Sequence, residues 1–145
     1  MLVLNVGSST LKVALFATGD GPRLWEASTQ RSGALLTQLQ GWLEPQLETL
    51  WPQIGAAAHR VVHGGERFTA PTRVGPGVLE ELEALNPLAP LHNPPALEAI
   101  GWLAGLRPEL PQWACFDTAF HATLPVAART YALPAAWRQG GIRRY

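Results

Sequence analysis

The first sixteen residues constrain the fold most. Two apolar runs, Leu2-Val3-Leu4-Asn5-Val6 and Leu11-Lys12-Val13-Ala14-Leu15-Phe16, flank the short turn Gly7-Ser8-Ser9-Thr10. This pattern predicts a tight hairpin of two buried strands, so the sheet begins with an antiparallel pair. Gly7 lets backbone N–H groups turn toward a bound group. The hydroxyls of Ser8, Ser9 and Thr10 can donate to phosphate oxygens, with Lys12 just beyond as a point charge. A purely structural hairpin with a polar turn would use the same residues, since short Gly/Ser motifs recur by chance. Lys12 is the only lysine among 11 basic residues, which favours the phosphate-binding reading.

Arg23-Leu24-Trp25-Glu26-Ala27-Ser28, after the turn Thr18-Gly19-Asp20-Gly21-Pro22, alternates as a third strand and completes a meander. Ser32 is placed to cap a helix in which Leu35, Leu36, Leu39, Trp42 and Leu43 recur at helical spacing, ending near Pro45, with room for a further turn that carries Leu47 and Leu50. A strand follows from Ile54 to Val62, broken by Gly64-Gly65. Val78, Leu79, Leu82 and Leu85 mark a second helix closed by Asn86-Pro87, and residues 88–93 form a loop. Asn93 is placed to cap a third helix opening on Pro94 and Pro95 and ending at Gly105. Trp113-Ala114-Cys115-Phe116 is a short buried strand that delivers Asp117-Thr118 at its end. A meander followed by alternating helices and strands predicts an α/β fold, a mixed sheet with helices packed on it.

A chain of 145 residues with 47% apolar content can bury one sizeable core but not two, so residues 1–145 are expected to be a single domain. The 11 basic and 11 acidic side chains cancel, which argues against nucleic acid or an anionic membrane as a partner and for small molecules or proteins. The lone Cys115 excludes an internal disulfide and is compatible with a reducing compartment, and no apolar run approaches the ~20 residues of a membrane span. The expectation is a cytoplasmic protein.

Ligands in such sheets bind beyond the carboxyl ends of the strands, where Asn5, Arg60 and Asp117 interrupt apolar runs. Asp117 is either a cap or a carboxylate aimed into a cleft for Mg²⁺ or a reacting group. Arg60 could serve there, or form a structural bridge to Glu66 or Asp117. Arg60 and Val62, two apart on one strand, are expected on the same face. His59 and His63 lie on strand and turn rather than helix, which argues against a zinc site. His92 and His121, taken singly, fit loop or cap positions.

Together these residues form blocks that resemble the N-terminal part of the acetate/propionate kinase family. The blocks are Leu4-Asn5-Val6-Gly7-Ser8-Ser9-Thr10-Leu11-Lys12, His59-Arg60-Val61-Val62-His63-Gly64-Gly65-Glu66, Ala89-Pro90-Leu91-His92-Asn93-Pro94 and Phe116-Asp117-Thr118-Ala119-Phe120-His121. A fifth, Gly141-Ile142-Arg143-Arg144-Tyr145, resembles the family's entry into its second half. The resemblance implies an actin-like ATPase, ribonuclease-H-like domain. It also implies Mg²⁺-dependent transfer of the γ-phosphoryl of ATP to a short carboxylate, acetate or propionate, giving an acyl phosphate and ADP.

By the same resemblance, catalysis falls to Asp117, His92 and Arg60, and phosphate binding to Ser8, Ser9, Thr10 and Lys12. Arg60, Val62 and Leu91 hold the acceptor, while Asn5 and Asp117 serve the metal. These groups suit phosphoryl transfer, which needs positioning and neutralisation of spread negative charge. Thr10 departs from the serine usual in the family. Members also run to more than twice this length, with a further histidine, arginine, glutamate and the adenosine-binding loops. The implied entity is therefore a half site without its C-terminal nucleotide-binding domain, inactive alone or completed by a separate C-terminal half. An interaction module, a propionate or butyrate kinase fragment, and another actin-like ATPase are the alternatives. The last of these calls for aspartate in place of Asn5.

Overall fold

In the computed structural model, which describes residues 1–19, 21–140, 142 and 144–145, six strands form one mixed sheet in the order β3-β2-β1-β4-β6-β5. β1 (Leu2–Val6), β2 (Thr10–Phe16) and β3 (Arg23–Gln30) make the expected antiparallel meander. β4 (Ala57–Val61) lies parallel to β1, and β6 (Gln112–Phe116) lies parallel to β4. β5 (Thr72–Arg73) pairs antiparallel with β6 at the edge; two residues carry no readable alternation, so the sequence reading passes over it. The 18–22 turn includes Asp20, and the 141–145 block includes Gly141 and Arg143, so those three residues lie outside the described ones.

Strand alternation divides the sheet into two unlike faces. Leu2, Leu4, Val6, Leu11, Val13, Leu15, Ala57, His59, Val61, Ala114 and Phe116 are buried on one face, under the helices. Burying each large aliphatic side chain contributes about 1.5–3 kcal/mol, which fixes the register because a one-residue slip would turn the whole set outward. The other face carries Val3, Asn5, Lys12, Ala14, Arg60, Cys115 and Asp117, none of them fully buried.

The first helical stretch departs from expectation in three ways. It runs as α1 (Leu35–Gln38), a π-turn (Leu39–Leu43) and α2 (Glu44–Leu47), passing Pro45 instead of ending there. Leu35, Leu39, Leu43 and Leu47 are all buried while Leu36 is exposed. A four-residue spacing drifts about 40° per step on an α-helix, and the wider π-turn takes up the drift and eases the passage of the proline. Ser32 is not the cap: Ala34 holds that position, and the orphan N–H of Leu36 donates to Glu98 Oε1 at 3.1 Å, from the third helix of the sequence reading.

α3 (Pro76–Ala84) and α4 (Asn93–Leu106) cover the β4–β6 half of the same face, α4 crossing to β1. α4 begins at its expected cap, one residue early, so His92 takes the cap position and Asn93 is the first helical residue. The fourth strand starts at Ala57, because Trp51–Gln53 forms a 3₁₀ turn leading into Ile54, and it ends at Val61, leaving Val62 in the following bend. Beyond β6, Asp117–His121 makes a 3₁₀ turn, and short helices α5 (Val126–Arg129) and α6 (Ala135–Gln139) follow.

Candidate functional site

The register brings the polar interruptions of three strands together. Leu4 of β1 pairs with His59 of β4, so Asn5 and Arg60 follow side by side, and Arg60 pairs with Cys115, two residues before Asp117. Arg60 Nε donates to Asp117 Oδ1 at 2.9 Å and Oδ2 at 3.1 Å, and its Nη2 donates to Oδ2 at 2.6 Å. Nη1 donates to Asn5 Oδ1 at 3.1 Å. Of the bridges weighed for Arg60, the structure forms the one to Asp117. The hydrogen bonds to Asp117 raise the guanidinium pKa above its ordinary value, against the opposing effect of partial burial and with further help from the Asp117 charge, so Arg60 is a permanent cation. One N–H on each terminal nitrogen is committed to neither partner, so the fork retains donors for a second oxyanion.

The row continues sideways. Asn5 pairs with Lys12 across β1–β2, and Lys12 with Ser28 across β2–β3, on the face the helices leave open. A groove of about 510 Å³ runs along this face past Val3, Asn5, Lys12, Ala14 and Glu26. Lys12 is exposed into solvent. At the turn, the N–H of Gly7 closes on the Thr10 carbonyl at 2.8 Å, so this amide is not offered to a ligand. Arg31, which the sequence reading overlooks, takes the carbonyls: its N–H donates to Ser9 O at 2.8 Å and its Nη1 to Gly7 O at 3.1 Å. Ser8 and Ser9 stand exposed at the tip and Thr10 is half-buried.

His92 and Leu91 stand exposed on the turn before α4, with no hydrogen bond between either side chain and the Arg60 cluster among the described residues. Val62 is half-buried in the bend after β4, where strand alternation no longer fixes its direction, so the expected shared face with Arg60 does not follow. His121 is exposed at the end of its 3₁₀ turn, edge-on to Phe120. His59 faces the core instead, 1% exposed, with Nε2 2.7 Å from Gln112 Oε1. Burial lowers its pKa to about 4 against the raising effect of Gln112, so it is neutral at pH 7. His63 lies beyond the strand, its Nδ1 accepting the Gly65 N–H at 3.0 Å and its ring edge-on to Tyr145.

The Gly64-Gly65 break is required by space as well as by angle. Gly65 has φ +62°, and a Cβ on Gly64 would lie 2.4 Å from the Phe68 carbonyl oxygen. Two side chains that the sequence reading leaves out of the site grip this loop. The buried Asn93 accepts from His63 N–H at 3.0 Å and donates to His63 C=O at 3.0 Å. Thr118 Oγ1 accepts from Gly64 N–H at 3.0 Å, and the Thr118 N–H donates to Val62 O at 3.3 Å. A polar residue beside each candidate catalyst, His92-Asn93 and Asp117-Thr118, was the available signal.

Among the described residues no group of three or more His, Cys, Asp or Glu is placed to hold a metal ion. Asn5 Oδ1 and the Asp117 carboxylate are hard oxygens that here accept from Arg60, and Asp117 Oδ1, with a single such bond, retains a lone pair for a second partner. Such a donor set suits Mg²⁺, which keeps waters and takes further ligands from substrate phosphates. No described helix is long and apolar enough to cross a membrane.

A profile described as "Acetokinase family" matches residues 23–145. The acetate kinase of Synechococcus sp. (strain JA-2-3B'a(2-13)) is 42% identical, the match covering 100% of this chain and 45% of that protein. The acetate kinase of Deinococcus radiodurans is 43% identical, covering 99% and 42%. Among solved structures, a propionate kinase from Francisella tularensis subsp. tularensis SCHU S4 superposes with a TM-score of 0.85 at 33% identity, covering 99% of this chain and 44% of that one. Porphyromonas gingivalis acetate kinase gives 0.82 at 30% identity, covering 99% and 44%. The chain thus spans under half the length of these relatives. Its mixed sheet and packed helices are those of the actin-like ATPase fold.

Proposed function

Because the chain belongs to the acetokinase family, we propose that it supplies the acceptor side of a carboxylate kinase, forming acetyl phosphate and ADP from acetate and ATP when a C-terminal nucleotide-binding half completes it. Residues 1–145 act on this reading as one N-terminal domain in the cytoplasm, inactive alone. The observation that carries the reading is the meeting of Asn5, Arg60 and Asp117 at the carboxyl ends of three adjacent strands. An arginine fork held this way grips a carboxylate by two parallel N–H···O bonds.

The acceptor carboxylate lies on the remaining N–H groups of Arg60, with its short tail between Val62 and Leu91. One carboxylate oxygen bonds to the γ-phosphorus as the bond from phosphorus to the ADP oxygen breaks, and the electron pair leaves with ADP. Lys12 and the hydroxyls of Ser8, Ser9 and Thr10 neutralise phosphate oxygens, and His92 donates to the transferring group. Asn5 and Asp117 would hold Mg²⁺, which supplies charge neutralisation at the phosphates when bound. Propionate or butyrate in place of acetate changes only the apolar walls.

A second reading is an interaction module paired with a separately encoded half. One experiment addresses both. The chain alone, and the chain combined with a relative's second half, are assayed for acyl phosphate with ATP, Mg²⁺ and acetate. Product only in the combination supports the proposal. Turnover at ordinary kinase rates by the chain alone sinks the half-site reading, and tight association without product favours the interaction module.

A further inference from the structure

Two elements converge on the short loop 62–64, and each is tied to it by the residue next to a candidate site residue. On α4 this is Asn93, beside His92; after β6 it is Thr118, beside Asp117. The two ties differ in kind. Thr118 reaches the loop by one side-chain bond and by its own backbone N–H to Val62 O. Asn93 reaches it by side chain alone, closing on both the N–H and the C=O of His63 at 3.0 Å, as a strand partner would. Its carboxamide is 0% exposed, so no water competes for either bond, and removing one end strands a buried polar group.

The sequence position explains why an amide is needed. A carboxamide sets a donor and an acceptor side by side on one carbon, matching a peptide's C=O and N–H, and asparagine is the shorter of the two residues that carry one. Aspartate keeps the shape and the acceptor but sets an oxygen against the His63 carbonyl. An N-terminal asparagine ahead of two prolines has an ordinary use as a helix cap, yet here no cap bond is made and the side chain points back to β4.

We propose that Asn93 is a positioning residue whose clamp on the His63 peptide sets the gap between Val62 and Leu91-His92, and with it the length of acyl tail the site accepts. This rests on the acceptor-side reading of Arg60, Val62 and Leu91 given above. Loosening the clamp lets the α4 turn move away from the β4 bend, so longer acids gain while the Arg60 grip on the carboxylate is untouched.

The test uses the 145-residue chain, with Asn93→Asp and Asn93→Ala variants and an Arg60→Ala control. Acetate, propionate and butyrate are titrated while amide and methyl resonances are followed by NMR. Hydrogen exchange at Leu4 and Ile100 reports the core. The expected result is faster exchange at His63 in Asn93→Ala, core protection retained, and an acetate-to-butyrate preference reduced by about tenfold in both variants. An unchanged preference, or equal weakening of all three acids with the core intact, overturns the inference. Unfolding of both variants also overturns it, assigning Asn93 a structural role only. If the unmodified chain shows no carboxylate response that Arg60→Ala abolishes, the acceptor-side reading itself fails. A response that ignores Asn93 sinks this inference alone.

Discussion

Arg60 and Asp117, 57 residues apart in sequence, meet in a two-pronged ion pair across adjacent parallel strands, with Nε to Oδ1 at 2.9 Å and Nη2 to Oδ2 at 2.6 Å. Their side chains remain 43% and 39% exposed, which limits what the pair adds to stability. An exposed pair of this sort contributes no more than about 1 kcal/mol. On the proposed reading, its geometry serves a ligand more than the fold.

Asp117→Asn therefore separates the two roles. Denaturant unfolding of the chain is expected to change by less than about 1 kcal/mol. Acyl phosphate formation by the combined halves is expected to fall about 100-fold or more, since a charge acting at the phosphates is lost. A normal rate with normal metal dependence would make Asp117 a cap and nothing more.

On the proposed reading, the acceptor pocket gives a contrast between two neighbours. Val62→Ala removes wall and leaves charge, so propionate and butyrate should gain on acetate by about 10-fold in catalytic efficiency. Arg60→Ala removes charge and leaves wall, so all three acids should weaken together. Steady-state kinetics of the combined halves with each acid checks both, and a Val62→Ala enzyme with unmoved ratios would refute the wall.

His59 makes the fold acid-sensitive. Burial lowers its pKa from 6.5 to about 4, so the unfolded chain takes up a proton between those values and the folded chain does not. Stability is thus full above pH 6.5 and declines as pH falls toward 4, by about 3 kcal/mol from this residue. Urea midpoints of the unmodified chain and of His59→Gln, taken from pH 7 to 4, should differ in slope across that window. Parallel curves would place the sensitivity elsewhere.

The hairpin, the meander and the clustering of Asn5, Arg60 and Asp117 were legible because each follows from strand period and strand ends. What stayed hidden depends on partners far away in sequence. Leu36 N–H finds Glu98 across 62 residues, so no local cap was needed where Ser32 suggested one. Asn93 wears the local signature of a helix start, and only the loop at His63 reveals what its amide is for. His59 reads as one of a histidine pair until Gln112, a polar residue opening an apolar strand, is found beside it in the core. The leucines at spacing four resolve only through the π-turn, which periodicity of 3.6 does not anticipate.

The open face of the sheet works as a ruler. Lys12, Asn5 and Arg60 sit on three neighbouring strands, so the lysine and the arginine are two strand spacings of about 4.8 Å apart, a span set by backbone hydrogen bonds. No side-chain exchange can stretch it. The proposed acyl walls, by contrast, stand on a bend and a turn joined through a single carboxamide. On the proposed reading, the distance from phosphoryl donor to acceptor carboxylate is written into the scaffold, while acceptor length is left to parts that a few substitutions can retune.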